Sequence, residues 1–188
     1  MGLLSRQAQN HDHAVEWLAR AIRQEPKAEY LSSLGITLRQ QGRFEEALKA
    51  LDKAIQLKPD DAELWINLGN VLADLARPAD ALSAFQHVLK LDPRHWDVAY
   101  RCGFLLDKMD RPADALCYFD LSDKLRPNQA VVLGMRAIAL QKLKRFEEAL
   151  ASYDNALRIN PDYGAAANNR RLLLEEMDRL RMAGASKA

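Results

Sequence analysis

Histidine is the side chain in this sequence whose spacing bears most directly on metal chemistry. His11 and His13, with Asp12 between them, form the one histidine cluster of the chain. Two histidines on a helix bind the same metal ion when they are about four residues apart, whereas a spacing of two directs their rings apart. In the repeat described below, these three residues align with a turn between helices. We therefore expect neither a metal ion nor a cofactor.

Cysteine and paired carboxylates are the other groups that could act as nucleophiles or general acids. Cys102 falls at a position that leucine occupies in neighbouring segments, which is typical of a buried thiol. The pairs Glu45-Glu46 and Glu147-Glu148 fall at predicted helix starts, where negative charge favours the helix dipole. No segment resembles a nucleophile elbow, a phosphate loop or a dinucleotide fingerprint. We predict no catalytic residue and therefore no enzyme.

The composition restricts the partners further. The 188 residues include 27 lysines and arginines against 26 acidic residues, a net charge of +1, whereas nucleic-acid binding by bulk charge needs concentrated basic residues. No apolar run reaches the roughly 18–20 residues that cross a bilayer, and the N-terminus does not resemble a signal peptide. Two cysteines without an N-x-Ser/Thr sequon are typical of a reducing compartment. These features predict a cytoplasmic protein that binds neither nucleic acid nor membranes.

Small and helix-breaking residues recur with one period along the chain. Glycine stands at Gly35, Gly69 and Gly103, 34 residues apart, where it should let the two helix backbones of a hairpin approach closely. Two further ladders share this period to within one residue: Pro26, Pro59, Pro93, Pro127 and Pro161, and Ala14, Ala47, Ala81, Ala115 and Ala149. A fixed period between 20 and 50 residues indicates a repeat architecture.

Within each period the apolar residues follow helical spacing. In the segment 81–89 they fall at i, i+4, i+7 and i+8. Pro78 and Pro112 stand where a second helix should begin, a position that tolerates proline. Asp60, followed by Glu63, predicts a cap for the first helix of a repeat. No strand-like alternation is present, so the sequence predicts an all-α fold of about 11 helices.

The repeat resembles the tetratricopeptide repeat, a helix–turn–helix unit of 34 residues. One segment carries the whole family pattern, as Trp65-x-x-Leu68-Gly69-x-x-Leu72, Ala81-x-x-x-Phe85 and Pro93. The resemblance implies a right-handed superhelical solenoid of antiparallel helix hairpins. It divides the chain into a partial repeat with a shortened first helix at 1–27, full repeats at 28–61, 62–95, 96–129 and 130–163, and a C-terminal capping helix with a tail at 164–188.

The repeats are most similar to those of bacterial proteins of the O-linked N-acetylglucosamine transferase type, which place asparagine at position 6 of the repeat. The segment Trp65-Ile-Asn-Leu-Gly-Asn70 carries this resemblance, and Asn169 falls at the same position in the capping helix. Ser33, Arg101 and Met135 interrupt the asparagine ladder. A carboxylate clamp for chaperone tails is not predicted, because most of its lysine and asparagine positions hold other residues.

The family resemblance also implies where a ligand would bind. Repeat positions 2, 5, 6, 9, 12 and 13 line the concave groove of such a solenoid, and here they are polar at first and apolar from Tyr100 onward. An exposed apolar stripe is typical of a binding surface, and bordering amides and guanidinium groups can hydrogen-bond a peptide backbone. The predicted peptide-binding residues are Asn67, Asn70, Tyr100, Arg101, Phe104, Met135 and Ile138.

Three functions are compatible with this pattern. The main prediction is a non-catalytic protein–protein interaction scaffold that binds a peptide or partner segment in its concave groove. The second is a targeting or substrate-recognition arm of a larger enzyme such as a bacterial glycosyltransferase. The third is a self-associating structural module, a homodimer in which apolar groove residues pack against a second copy.

Overall fold

The computed structural model describes the backbone of residues 2–185 and the side chains of residues 11–183. These residues form ten α-helices and no strand, so the predicted all-α fold is confirmed. None of the helices described is long and apolar enough to cross a membrane. The chain divides into two compact units, residues 1–93 and 94–188, and each is described by itself.

Unit 1 contains two helix hairpins preceded by a single helix. α2 and α3 form the first hairpin and α4 and α5 the second, while α1 packs on α2 and α3 packs on α4. Apolar side chains fill the space between these layers, as Leu31, Ala54 and Leu64 do around Ala28. The helices are α1 (Gly2–Gln24), α2 (Ala28–Gln40), α3 (Phe44–Leu57), α4 (Ala62–Asp74) and α5 (Pro78–Leu91).

Unit 2 contains two hairpins followed by a single helix. α6 pairs with α7 and α8 with α9, while α7 packs on α8 and α9 packs on α10. Phe119 and Tyr153 are the largest of its fully buried side chains. The helices are α6 (Trp96–Lys108), α7 (Pro112–Leu125), α8 (Ala130–Lys142), α9 (Phe146–Ile159) and α10 (Gly164–Ala185). The last three residues of the predicted tail lie outside the described part of the chain.

The predicted turn at His11–His13 is wrong, because α1 continues through these residues without a break. The alignment of this segment with the turns of the full repeats produced that prediction. No glycine or proline interrupts residues 3–25, so the chain can extend one helix where the repeat pattern would place two. This accounts for ten helices in the described residues where about eleven were predicted.

The turn inside each hairpin uses one backbone conformation. Its central residue has a positive φ, which is 75° at Gly42, 55° at both Ala76 and Asp110, and 61° at Lys144. The amide of that residue donates to the carbonyl three residues earlier, and the next amide donates to the carbonyl five residues before it. This is the bonding of a Schellman-type helix end, which satisfies carbonyls that the helix leaves unpaired.

The ladder glycines make room mainly for a side chain of the second helix. A Cβ on Gly69 would lie 2.5 Å from the ring of Phe85, and one on Gly103 would lie 2.7 Å from the ring of Phe119. The carbonyl oxygen of Ala115 is also close to Gly103, at 3.1 Å from such a Cβ. The predicted approach of two backbones is thus corrected to the packing of an aromatic ring against a glycine backbone.

Three helix starts test the predicted signals. Pro78 and Pro112 are the first residues of α5 and α7, as expected. The cap of α4 is Asp61 instead of the predicted Asp60, since the Asp61 carboxylate accepts a hydrogen bond from the amide of Glu63 at 3.0 Å. Either aspartate satisfies the sequence preference, and the backbone conformation selects the second.

Helix α10 covers the end of unit 2 with one apolar stripe. Leu173 is fully buried and Met177 nearly so, whereas Leu180 is 54% exposed. α10 is longer than α8, and its last turns continue beyond the buried stripe. Arg171 stands at the position of the ladder glycines and forms a salt bridge with Glu175.

Candidate functional site

An ion pair joins the faces of α6 and α8 that carry most of the predicted binding residues. Nζ of Lys142 lies 2.6 Å from Oδ1 of Asp107 and 3.2 Å from the carbonyl oxygen of the same residue. Asp107 is only 8% exposed. Residues three or four apart share a helix face, so Phe104 and Ile138 lie one turn from this ion pair. We refer to the predicted residues Tyr100 and Phe104 on α6 and Met135 and Ile138 on α8 as the α6–α8 wall.

Two aromatic rings form the α6 part of the wall. The ring centroids of Tyr100 and Phe104 are 6.4 Å apart, and Tyr100 also packs against buried Phe119 with a centroid distance of 6.1 Å. Phe104 is 37% exposed, and the ammonium group of Lys108 lies 5.4 Å from its ring centroid. The wall is therefore anchored in the core at Tyr100 and open to solvent at Phe104.

The remaining predicted residues of unit 2 differ in exposure. Met135 and Ile138 are half-buried on α8. Arg101 is exposed on α6, and its guanidinium group lies 3.9 Å from the carboxylate of Asp97, one turn earlier. The α6–α8 wall is thus apolar, and Arg101 supplies a charged group on the same helix as its aromatic rings.

Tyr163, which precedes α10, adds a third aromatic ring that sequence reasoning missed. A Cβ on Gly134 would lie 2.8 Å from Cε1 of Tyr163. Gly134 occupies the repeat position that Tyr100 holds one repeat earlier, so the ring of Tyr163 takes the place of the absent side chain. Burial raises the pKa of Tyr100, and the neighbouring phenol of Tyr163 raises it further. The glycine at this position was the available sequence signal.

A cleft of about 380 Å³ opens beside the wall, among α8, α9 and α10. Ile138 is the one predicted binding residue in its lining, and Tyr153 contributes a phenol from α9. The other lining residues are polar or charged. We name this feature the C-terminal cleft, and its lining consists of Ile138, Gln141, Lys142, Lys144, Tyr153, Asn169 and Glu176.

Three polar side chains in the C-terminal cleft form a hydrogen-bond network. The hydroxyl group of Tyr153 donates to Oε1 of Gln141 at 3.4 Å. Burial raises the pKa of Tyr153 to about 12, although a hydrogen bond from Asn169 acts in the opposite direction. Tyr153 therefore remains a neutral phenol at physiological pH. Repeat positions 12 and 6 predict that Gln141 and Asn169 line the groove. The repeat pattern did not predict that Tyr153 lies beside them.

The two predicted asparagines belong to unit 1. Asn67 and Asn70 are half-buried on α4, and Nδ2 of Asn67 lies 3.5 Å from Oγ of Ser32 on α2. Arg39 of α2 also forms a salt bridge with Asp74 of α4. These two charges occupy the same repeat positions as the ion pair between α6 and α8. Corresponding helix faces are therefore paired in the same way within each unit.

The chemistry available at these surfaces is that of recognition. The amide groups of Gln141 and Asn169 in the C-terminal cleft can exchange hydrogen bonds with a peptide backbone, and the α6–α8 wall offers contact to apolar side chains. Within the described residues, no three histidine, cysteine, aspartate or glutamate side chains are grouped so that they could hold a metal ion. Cys102 is buried, which raises the pKa of its thiol to about 12, and Cys117 is exposed.

Comparison with known protein families identifies the repeat. A family model described as TPR repeat matches residues 35–75, and two models described as tetratricopeptide repeat match residues 62–95 and 130–163. Tetratricopeptide repeats are therefore present in both units. The resemblance drawn from the sequence pattern is confirmed at this level.

Solved structures with the same arrangement of helices cover most of the chain. A crystal structure of MamA has a TM-score of 0.78 at 21% identity and covers 87% of this chain and 96% of its own. YrrB, described as a TPR protein with an unusual peptide-binding site, also has a TM-score of 0.78, at 22% identity over 90% of this chain and 88% of its own. MamA from Desulfovibrio magneticus RS-1 has a TM-score of 0.77 at 23% identity and covers 84% and 89%. At these identities the similarity establishes a TPR solenoid fold.

One curated relative matches a shorter part of the chain. Protein O-mannosyl-transferase TMTC1 of Homo sapiens is 41% identical over 64 residues, which are 34% of this chain. The match spans 7% of the length of that relative.

Proposed function

We propose that this protein is a non-catalytic scaffold that binds an extended segment of a partner protein along the α6–α8 wall and the C-terminal cleft. The carrying observation is that the half-buried amides of Gln141 and Asn169 lie beside Ile138 and are both hydrogen-bonded to buried Tyr153, because this places backbone-type hydrogen-bond partners next to an apolar contact. An extended peptide presents alternating polar backbone groups and side chains, which is the chemistry this surface complements. The unusual peptide-binding site described for YrrB agrees with such a use of the fold.

The predicted binding residues enter this proposal in two groups. Tyr100, Phe104, Met135 and Ile138 would contact apolar side chains of the partner, and Arg101 would bind a carbonyl or carboxylate group. Asn67 and Asn70 would supply separate backbone contacts in unit 1. Tyr163 and Asn169 join the binding residues on the geometry described above.

A charge-insertion variant tests the proposal. Random peptides displayed on phage would be selected on the wild-type protein, and the selected peptides measured against the double variant Phe104→Glu, Ile138→Glu. Since both positions are at least partly exposed, we expect the variant to stay within about 1–2 kcal/mol of wild-type stability and to bind the peptides at least about tenfold more weakly.

A matched control carries the same charge change elsewhere. The double variant Leu57→Glu, Leu91→Glu alters two exposed leucines of unit 1, which are 50% and 37% exposed, and it should bind the peptides like wild type. If the variant Phe104→Glu, Ile138→Glu unfolds, these two side chains belong to the hydrophobic core and not to a binding surface. If it folds and binds normally, the site lies elsewhere.

A second candidate function is a recognition arm within a larger enzyme. The observation that favours it is the 41% identity to Protein O-mannosyl-transferase TMTC1, a relative of which this chain spans 7%. Sequencing the native reading frame tests this candidate, because it requires an adjoining catalytic domain. An open reading frame that encodes these repeats alone would exclude it.

A further inference from the structure

A second cleft lies in unit 1, on a surface that the proposed function does not use. Its volume is about 340 Å³, and α1, α2 and α3 enclose it. Most of its wall is apolar, with Leu31 and Leu38 buried at its base and charged side chains of α3 at its edge. We name it the α1 cleft, and its lining consists of Ala19, Ile22, Leu31, Leu34, Leu38, Glu46, Lys49, Ala50 and Lys53.

The next repeat shows what fills the equivalent space. Trp65 occupies the repeat position of Leu31, and His87 occupies that of Lys53. The rings of Trp65 and His87 stack with their centroids 4.1 Å apart, and Nε1 of Trp65 donates to the carbonyl oxygen of Pro59 at 2.7 Å. In the first full repeat no ring occupies these positions, and the α1 cleft opens at Leu31 and Lys53, where the rings of Trp65 and His87 stack one repeat later.

The same unit carries an exposed indole. Trp17 on α1 is 69% exposed. The guanidinium group of Arg20 lies 5.7 Å from its ring centroid, and Glu16 precedes it in the sequence. Tryptophan buries more apolar area at an interface than most residues and is enriched in interface hot spots. An exposed indole is therefore typical of a contact that is completed by another molecule.

We propose that Trp17 of one copy of this protein inserts into the α1 cleft of a second copy. The charges around the two surfaces are complementary, because Glu16 and Arg20 flank the indole while Lys49, Lys53 and Glu46 border the cleft. The ammonium groups of the cleft can face Glu16, and the carboxylate of Glu46 can face Arg20. This interaction surface is distinct from the α6–α8 wall and goes beyond the proposed peptide binding.

The helix geometry fixes the symmetry of such an assembly. At 100° per residue, Trp17 and Ala19 point in directions about 160° apart around the axis of α1. Each copy therefore presents one indole and one cleft on different faces. The resulting contact is head-to-tail, so copies add one to the next and form rings where the rotation between them closes and open chains where it does not.

Sedimentation velocity over a concentration series tests the proposal on the full chain. The weight-average mass of the wild-type protein should rise with concentration. Trp17→Ala removes the indole, and Leu31→Trp fills the cleft from within, as Trp65 does in the next repeat. Each variant should weaken association by roughly tenfold or more while keeping the wild-type circular dichroism. If Leu31→Trp fails to fold, Ala19→Trp replaces it as the cleft-filling variant.

A charge exchange provides the matched control. Lys49→Glu with Lys53→Glu should weaken association by repelling Glu16, and the further change Glu16→Lys should restore it. A purely structural effect would not be rescued in this way. The variant Phe104→Glu, Ile138→Glu should associate like wild type.

Three results would overturn the proposal. A monomer at every concentration excludes self-association. Unchanged association of both Trp17→Ala and the cleft-filling variant excludes this contact. Loss of association only in Phe104→Glu, Ile138→Glu would assign it to the α6–α8 wall.

Discussion

At the scale of single residues, Gly69 offers the sharpest test of packing. A Cβ at this position would lie 2.5 Å from the ring of Phe85, and a leucine requires three further carbons in the same space. We expect Gly69→Leu to lower the free energy of unfolding by about 3 kcal/mol, because overpacking a dense core displaces its neighbours. Urea unfolding followed by circular dichroism measures this loss.

Gly42 is the control position for Gly69, because a side chain there is limited by the backbone conformation and not by lack of space. Nothing lies within 4 Å of a Cβ built there, but its φ is 75°. Gly42→Leu should therefore cost about 1–2 kcal/mol, the penalty of a left-handed conformation for a residue with a Cβ. Equal losses at Gly42 and Gly69 would mean that steric crowding does not distinguish the two glycines.

The two cysteines should differ in reactivity. Cys117 is exposed, whereas Cys102 is buried and the pKa of its thiol is about 12. At pH 8 iodoacetamide should therefore modify one cysteine in the native protein and both in urea, because the thiolate is the nucleophile. Intact mass spectrometry counts the adducts. Rapid native modification of both would contradict the burial of Cys102.

The raised pKa of Cys102 also predicts a pH dependence of stability. Above the ordinary thiol pKa near 9 the unfolded chain loses this proton, while the folded chain retains it up to about pH 12. The folded state then binds more protons, so stability falls as pH rises through this interval. Cys102→Ala should reduce the slope of melting temperature against pH above pH 9. An unchanged slope would contradict the assignment.

At the scale of helices, the cap of α4 separates sequence preference from structure. Asp61→Ala should cost about 1 kcal/mol, because its carboxylate accepts the amide proton of Glu63. Asp60→Ala, one residue earlier, should change stability by less than about 0.5 kcal/mol. If urea unfolding shows that Asp60→Ala lowers the free energy of unfolding more than Asp61→Ala does, the N-cap of α4 is Asp60.

Helix start and stop signals were predictable where one residue type enforces the backbone, and less so elsewhere. Proline fixed the first residues of α5 and α7. The turn residues Ala76, Asp110 and Lys144 adopt positive φ without being glycine. The residue type at these positions therefore does not predict the turn conformation. Helix α1 shows the converse, since a turn predicted by alignment is absent where the local residues sustain a helix.

At the scale of the whole chain, each unit should behave as a folding module. Phe119, Leu140, Tyr153 and Leu173 are fully buried in a unit that ends with its own capping helix. Repeat proteins are stabilised by contacts between neighbouring repeats, so residues 94–188 alone should keep a strongly helical circular dichroism spectrum and unfold cooperatively. A disordered spectrum for this fragment would contradict the division into two units.

The candidate site was predictable as far as it follows the repeat. Repeat positions predicted Tyr100 and Phe104 on one face of α6 and Ile138 at the position equivalent to Phe104 on α8. They could not identify Tyr163, whose ring fills the space above Gly134 from outside the helix pair. A periodic pattern predicts contacts that recur in every repeat, whereas this contact occurs through one particular glycine. How the binding residues act together remains a prediction for the peptide experiment.

The arginine at the glycine position of α10 bears on how this array could have grown. Arg171 stands where Gly35, Gly69 and Gly103 admit a side chain of the following helix, and it is held by Glu175. A further second helix added after α10 would meet a guanidinium group where it needs an open backbone. New repeats copied into the interior of the gene would meet glycine or alanine instead. Lengthening by duplication is therefore tolerated within the array and opposed at its C-terminal end, until Arg171 itself is replaced by a small residue.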